Sequence, residues 1–135
     1  CEEQYAKDNN LEILGRIVST SVQGCKADTM GLGPIGATQK ALARAKLSIN
    51  EIDIVELNEA FASQSLACIK DLKIDPSKVN LDGGALALGH PLGATGARIT
   101  GKVAQLLKRE NKKYALASQC IGLGMGIATI IESVD

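Results

Sequence analysis

The amino-acid sequence predicts an α/β layered domain, with a mixed, mostly parallel five-stranded sheet and helices on both of its faces. Two observations lead to this fold class. Short apolar runs alternate with longer helical segments along the 135 residues, as in chains that join parallel strands by helical crossovers. Hydrophobic residues make up 45% of the chain, with two Tyr, one Phe and no Trp, so the core is expected to be aliphatic. The length suits one domain.

Five apolar runs have the short length and the β-branched content that are typical of strands. They occupy residues 13–22, 52–57, 79–81, 114–118 and 127–131. The connection between the last two is too short to hold a crossover helix. We therefore expect these two strands to pair antiparallel, whereas the helices between the other strands favour parallel pairing.

Four segments are predicted to be helical. They are residues 1–10, as the frayed end of a helix, and residues 38–46, 59–72 and 94–110. Asn58 stands where a cap of the helix 59–72 is expected, and Glu59 in the first turn suits the positive end of the helix dipole. The helix 94–110 carries apolar residues on more than one face, which predicts that it lies between layers. Glycine-rich loops are predicted at 24–36 and 83–93.

The charge and residue counts argue against several classes of protein. The 15 Lys and Arg balance the 15 Asp and Glu, which disfavours nucleic-acid binding through bulk charge. No apolar stretch approaches the length of a transmembrane helix. One His and four Cys without close pairing make a metal site unexpected. We expect a cytoplasmic protein with reduced thiols.

The first residues indicate a piece of a longer protein. The chain begins with Cys1 rather than Met and contains no recognisable targeting segment. The polar residues that follow resemble the end of a helix whose beginning lies upstream. Residues 1–14 are therefore interpreted as the end of a preceding segment, and residues 15–135 as the domain itself.

Two known glycine motifs do not fit these loops. Gly84 and Gly89 have the spacing of a phosphate-binding loop, but His90 and Pro91 stand where the Lys and the Ser or Thr of that motif belong. The glycines of 122–126 begin like a dinucleotide-binding fingerprint, yet only nine residues follow them, too few for the required βαβ unit.

Three residues remain as candidates for chemistry, each with a structural alternative. His90 is the only His and precedes a buried helix, whose positive dipole end suits an anionic transition state; the alternative is a solvated or core histidine. Cys120 ends a strand before a glycine turn; the alternative is a small buried hydrophobe. Asn58 can present its amide at the sheet edge, besides capping a helix.

Three motifs together resemble the thiolase family of acetyl-CoA acetyltransferases and 3-ketoacyl-CoA thiolases. The first is Asn58-Glu59-Ala60-Phe61. The second is the glycine-rich stretch 83–98, which contains Gly-His-Pro, and the third is the stretch 120–126, Cys-Ile-Gly-Leu-Gly-Met-Gly. The resemblance extends over about residues 15–132. It implies the thiolase fold and identifies residues 15–135 with the C-terminal half of such an enzyme.

The resemblance implies Claisen chemistry on coenzyme A thioesters, with a role for each matching residue. His90 matches the histidine that activates the nucleophilic Cys and donates to the thioester oxygen. Asn58 matches the asparagine that holds a water beside that His in one oxyanion hole. Cys120 matches the acid/base that removes the α-proton of acetyl-CoA, and the Gly122 N–H matches a donor of the second oxyanion hole.

The resemblance also implies substrates and partners. Met30, Phe61 and Leu92 match residues that line the acyl and pantetheine tunnel, with ordinary core packing as the alternative for each. Acyl-CoA and acetyl-CoA are substrates in fatty acid metabolism, and no cofactor is expected. The expected protein partners are the N-terminal thiolase domain of the same chain and further copies, in a homodimer or homotetramer.

The sequence departs from the family pattern in four respects. Leu123 stands where Gly is usual, Asp82 where Asn is usual and Thr95 where Ser is common. The motif of the nucleophile, an Asn two residues before Cys-x-Ser-Gly, does not occur, and neither Cys25 nor Cys68 has such a context. We therefore expect this chain to be inactive by itself.

Two alternatives to a thiolase half are kept open. Another condensing enzyme of the same fold would carry a second His or an Asn in place of Cys120, and this chain has one His. A non-catalytic module that binds acyl-CoA needs none of the reactive groups. The presence of His90, Cys120 and Asn58 together argues against it.

Overall fold

The computed structural model describes residues 1–134. These residues form five helices and four strands. In order they are α1 (Glu3–Asp8), β1 (Arg16–Gly24), α2 (Gly33–Ala45), β2 (Ile54–Leu57), α3 (Ala62–Leu72), α4 (Ala85–Leu88), α5 (Leu92–Arg109), β3 (Tyr114–Ile121) and β4 (Met125–Glu132). Short 3₁₀ turns lie at Ala27–Leu32, Ile49–Glu51 and Pro76–Lys78.

The sheet is mixed, as predicted, and within residues 1–134 it has four strands in the order β1-β4-β3-β2. The predicted fifth strand, 79–81, is wrong: Val79 forms only an isolated bridge to Val55, and the next residue, Asn80, has a φ of 49°, which turns the backbone out of the extended form.

The expectation of mostly parallel pairing is also wrong. Among the strands of the described residues only β2 and β3 pair parallel, whereas β4 pairs antiparallel with both β1 and β3. The antiparallel pairing of the last two strands was predicted from their short connection and is confirmed. That hairpin explains the error, because it inserts β4 between β1 and β3, two strands that run in the same direction.

Helices cover both faces of the sheet, as predicted, and each face has its own aliphatic core. On one face α2 and α3 pack against side chains such as Leu116 and Ile130. On the other face α5 packs Ile99, Val103 and its neighbours against the alternate residues of the same strands, among them Ala117. The period-2 alternation of strand side chains thus divides the apolar residues between two layers.

The predicted cap of α3 is wrong. The helix begins at Ala62, with Phe61 as its N-terminal flanking residue, rather than at Glu59. Asn58 continues the line of β2, because its backbone N–H donates to the Ser118 carbonyl of β3 at 2.9 Å. The amide side chain is therefore free for another role at the sheet edge.

The start of α2 lies against β4 without any side chain between the two backbones. A Cβ added to Gly126 would stand 2.1 Å from the carbonyl carbon of Gly33, and one added to Gly33 would stand 2.3 Å from the Met125 oxygen. Real Cβ atoms do not approach other atoms so closely. Both glycines are required by space, and they set the distance between helix and sheet.

We expect Gly126→Ala to destabilise the domain by about 1–3 kcal/mol, because the added methyl group must push α2 away from β4. The matched control is Gly101→Ala inside α5, where a Cβ meets no atom within 4 Å. That change should stabilise the domain by about 0.5–1 kcal/mol, since it restricts the unfolded chain. Urea unfolding measures both; a Gly126→Ala variant as stable as the parent would contradict the close contact.

Candidate functional site

Three of the predicted site residues lie at one end of the sheet. Asn58 directly follows β2, and Cys120 is the penultimate residue of β3. Since these strands are parallel neighbours, with Leu57 opposite Ser118, both residues stand at the carboxyl edge of the sheet. Gly122 extends from the same edge in the turn between β3 and β4. Carboxyl edges of this kind are where open α/β sheets bind ligands.

His90 reaches this edge from the loop before α5. Its Nε2 lies 3.3 Å from Asn58 Nδ2, and its Nδ1 lies 2.7 Å from Thr95 Oγ1. The Thr95 hydroxyl donates to the Pro91 carbonyl at 3.2 Å, so it accepts the hydrogen bond from His90. Nδ1 therefore carries the ring proton, and Nε2 is left as the acceptor that a general base needs.

The amide of Asn58 is fully buried and is only half used by the protein. Nδ2 faces the imidazole of His90, whereas Oδ1 has no hydrogen-bond partner within residues 1–134. A buried amide oxygen without a partner costs about 1–3 kcal/mol. A water or a ligand group that donates a hydrogen bond beside His90 would be stabilised at this oxygen.

Burial raises the pKa of the Cys120 thiol, and the nearby Cys25 thiol adds to the shift. The opposing influence is a hydrogen bond from the backbone of Cys120 itself. Only 9% of the residue is exposed. Since the ordinary pKa of a thiol is already above 8, Cys120 is protonated at neutral pH and holds a proton that it can donate.

The turn after Cys120 has a strained backbone and an open surface. Leu123 has a φ of 69° and is 91% exposed, and Gly124 has a φ of 91°. This explains why Gly is usual in place of Leu123, because a side chain costs about 1–2 kcal/mol in the left-handed region. Gly122 is exposed and a Cβ there would meet no atom within 4 Å, so its backbone is accessible.

Ion pairs in the structure explain why Asp82 can stand where Asn is usual. The carboxylate forms ion pairs with two residues of α5, Lys102 and Arg109, with Arg109 contacts of 2.6 and 2.9 Å. The hydrogen bonds from Arg109 and Lys102 hold the pKa of Asp82 well below its usual range. An acidic residue at this position thus fastens the start of the glycine-rich loop to the helix that follows.

The three residues predicted to line the substrate tunnel do not pack together in one core. Met30 is half-buried in the 3₁₀ turn before α2, whereas Phe61 is 62% exposed and Leu92 is 82% exposed. Ordinary core packing is therefore wrong for Phe61 and Leu92. Large apolar side chains exposed at the N-terminal boundaries of α3 and α5 are available to a ligand or to another part of the protein.

A buried carboxyl group that the sequence motifs did not indicate lies beside the site. Glu56 belongs to a strand whose four residues are all buried, and its Oε1 has no hydrogen-bond partner within residues 1–134. Desolvation raises the pKa of Glu56 to about 7, while Arg98 and Lys102 oppose the shift and Asp82 and Glu59 add to it. The signal in the sequence was a charged residue inside an apolar strand.

Two further findings bear on metals and membranes. The part of the chain that the structure describes contains no group of three or more His, Cys, Asp and Glu side chains placed to hold a metal ion. It also contains no helix that combines the length and the hydropathy needed to cross a membrane.

We expect Thr95→Val to lower the population of His90 with the proton on Nδ1, because the valine methyl group cannot accept its hydrogen bond. Thr95→Ser, which keeps the hydroxyl, is the control. The ¹⁵N shifts of the imidazole ring measure the tautomer directly, and the single His needs no assignment. Identical spectra for all three proteins would contradict the role of Thr95.

We expect Glu56→Gln to stabilise the domain at pH 8 by up to about 3 kcal/mol, and by much less at pH 5. The folded-state pKa of about 7 exceeds the 4.5 of a free carboxyl group. The contribution of Glu56 to the stability of the parent protein is therefore fully present below pH 4.5, and it is lost as the pH rises through 7. Urea unfolding at both pH values tests this, with the exposed Glu2→Gln as control. A gain that is the same at both pH values would contradict it.

Comparisons with known proteins identify the family. The family model described as "Thiolase, C-terminal domain" matches residues 11–133. The chain is 53% identical over 136 residues to a 3-ketoacyl-CoA thiolase of Shewanella sp. (strain ANA-3), covering 98% of this chain and 35% of that protein. It therefore spans about a third of this relative, rather than the predicted half.

Solved structures agree with the sequence comparison. Human mitochondrial 3-ketoacyl-CoA thiolase superposes with a TM-score of 0.96 at 49% identity, over 99% of this chain and 34% of the human chain. The same human enzyme in complex with CoA gives a TM-score of 0.95 at 50% identity, over 98% and 34%. With the motifs, the fold and both comparisons in agreement, this chain belongs to the thiolase family and corresponds to its C-terminal domain.

Proposed function

We propose that this chain supplies the acid/base and oxyanion-binding part of a 3-ketoacyl-CoA thiolase. The single observation that carries the proposal is the chain of contacts from Asn58 through His90 to Thr95. It leaves His90 Nε2 as a proton acceptor and Asn58 Oδ1 as a free acceptor beside it. Both stand at the same sheet edge as the Cys120 thiol.

In the proposed reaction two acyl-CoA molecules condense to 3-ketoacyl-CoA, or the reverse thiolysis takes place. His90 Nε2 takes the proton of a nucleophilic Cys that another part of the protein provides, and the Cys thiolate forms a thioester with the acyl group while the Cys120 thiol gives its proton to the departing CoA thiolate. The resulting Cys120 thiolate removes the α-proton of acetyl-CoA. The carbanion attacks the acyl group and displaces the nucleophilic Cys, whose thiolate takes its proton back from His90. In thiolysis the Cys120 thiol returns its proton to that carbon.

Two oxyanions need stabilisation in this scheme. The proposed first site combines His90 with a water on Asn58, and the proposed second site contains the Gly122 N–H, each donor contributing about 3–4 kcal/mol to the transition state. Met30, Phe61 and Leu92 are proposed to line the acyl and pantetheine path. The exposure of Phe61 and Leu92 supports this, since apolar surface in these places needs a cover.

We propose that the rest of the protein completes the site. The CoA thioesters are substrates, and we propose no further cofactor. The N-terminal domain of the same protein would cover exposed leucines near the loop, such as Leu86 and Leu88, within a homodimer or homotetramer. The domain proper is taken to begin near residue 15. A cytoplasmic location, or an organellar one in a eukaryote, stays a prediction.

The test is a chimera in which residues 11–133 replace the matching third of the Shewanella thiolase. We expect the chimera to cleave acetoacetyl-CoA and the isolated chain to show no cleavage. His90→Ala or Cys120→Ala in the chimera should lower kcat by about 10²- to 10⁴-fold, because each change removes a proton-transfer group. Cys25→Ser is the matched control: it removes only a minor influence on the pKa of Cys120, so kcat should change by less than about threefold.

Two outcomes would contradict the proposal. Cleavage by the isolated chain would show that it contains its own nucleophile. Full activity of the Cys120→Ala chimera would remove Cys120 from the mechanism and favour the alternative of a module that binds acyl-CoA without reacting with it.

A further inference from the structure

The outer edge of β2 is covered by a side chain in place of a strand. Asn80 Oδ1 accepts a hydrogen bond from the Leu57 N–H at 2.9 Å, and Asn80 Nδ2 donates to the Leu57 carbonyl at 3.0 Å. The backbone N–H of Asn80 donates to the Val55 carbonyl at 2.8 Å. One buried amide thus supplies both hydrogen bonds that a neighbouring strand would give, directly before Asn58.

The same amide holds the residue that follows Asn58. Asn80 Nδ2 also donates to Glu59 Oε1 at 3.1 Å, so both of its protons are used. The other oxygen, Glu59 Oε2, accepts from the Leu86 N–H at 3.0 Å, in the first turn of α4. Asn58 is therefore fixed from both sides, and Glu59 ties the end of β2 to the loop that leads to His90.

Gly84 shows that this contact admits no additional atom. A Cβ at Gly84 would stand 2.5 Å from Glu59 Oε2 and 2.7 Å from Asn80 Nδ2. The backbone of Gly84 is extended, with a φ of −125°, so conformational freedom does not explain the glycine. Space explains it, because the loop backbone lies directly against the two side chains.

The rest of the loop carries this constraint to His90. Within α4 and its end, the Leu88 N–H donates to the Gly84 carbonyl at 3.1 Å, and the Gly89 N–H donates to Ala85 at 2.7 Å. Gly89 has a φ of 91° and reverses the chain immediately before His90. Glu59 thus anchors the loop at its beginning, and Asn58 meets the imidazole at its end.

We propose that Asn80 and Glu59 are positioning residues that set the contact between Asn58 and His90. Neither residue touches the imidazole. Asn80 acts through its hydrogen bonds to Leu57, and Glu59 acts through its hydrogen bond to the glycine-rich loop at Leu86. The catalytic meaning of this inference rests on the proposed function, whereas the geometric part concerns this chain alone.

The decisive variant is Glu59→Gln, which keeps the size of the side chain. The new NH₂ group must face either the Leu86 N–H or Asn80 Nδ2, and both are donors. Glu51→Gln is the matched control: Glu51 Oε2 accepts from Ser48 N at 2.7 Å and from Ser48 Oγ at 2.8 Å, at the other end of β2. It neutralises a hydrogen-bonded carboxylate far from His90 without placing an NH₂ group against a donor.

The first measurement uses the isolated chain and the ¹⁵N spectrum of its single imidazole. We expect Glu59→Gln to shift the ring nitrogen signals and the balance between the two tautomers, and Glu51→Gln to leave both at the parent values. An unchanged His90 spectrum in Glu59→Gln would overturn the inference. So would equal shifts in Glu59→Gln and Glu51→Gln, because a general loss of stability would then explain them. Asn80→Asp, which replaces a donor by an acceptor, should shift the signals in the same way.

The second measurement is kinetic and uses the chimera. Glu59→Gln should lower kcat by about 10- to 100-fold while KM changes by less than about threefold, since displaced catalytic groups affect the transition state more than substrate binding. Glu51→Gln should retain kcat within about twofold. If His90→Ala abolishes activity but Glu59→Gln does not, the positioning role fails and the proposed function stands. If His90→Ala retains activity, the proposed function fails, and the spectrum of the isolated chain alone decides the positioning role.

Discussion

The hydrogen-bonded contact between Asn58 and His90 is the constraint around which this domain is arranged. It joins the end of a buried strand to the residue before a long helix, two segments that are 32 positions apart in the chain. A side-chain amide reaches only a few ångströms, so strand and helix must be placed to within a fraction of that distance. The parallel pairing of β2 with β3 and the packing of α5 on both strands provide this placement.

Close backbone contacts make this placement possible. Gly33 and Gly126 bring α2 onto β4, and Gly84 brings the glycine-rich loop 83–93 onto Glu59 and Asn80. In each case a methyl group would occupy space already filled, so the glycines act through volume rather than through flexibility. Several of the 14 glycines in the chain are therefore a consequence of how closely its backbone segments approach one another.

Local sequence patterns predicted much of the fold, and non-local pairing accounted for the errors. Periodicity predicted helices α3 and α5, with boundaries that differ by a few residues, and the buried strand β2. Connection length predicted the final hairpin. The number of strands and the parallel majority were wrong, because Asn80 turns the chain after Val79 and β4 enters between β1 and β3. No property of a single segment reveals which strand it will lie beside.

The candidate site, too, was predictable only in part from local sequence. His90, Cys120 and Asn58 could be named because their motifs resemble those of a family, but the cap assigned to Asn58 was wrong, since the strand continues through its backbone N–H. Glu59, expected in the first turn of α3, does accept a hydrogen bond from a helix terminus, but this terminus belongs to α4. A carboxylate favours any free helical N–H, and only the tertiary structure decides which one comes within reach. The residues proposed to react were therefore visible in the sequence, whereas those proposed to hold them in position emerged only from the distances between side chains.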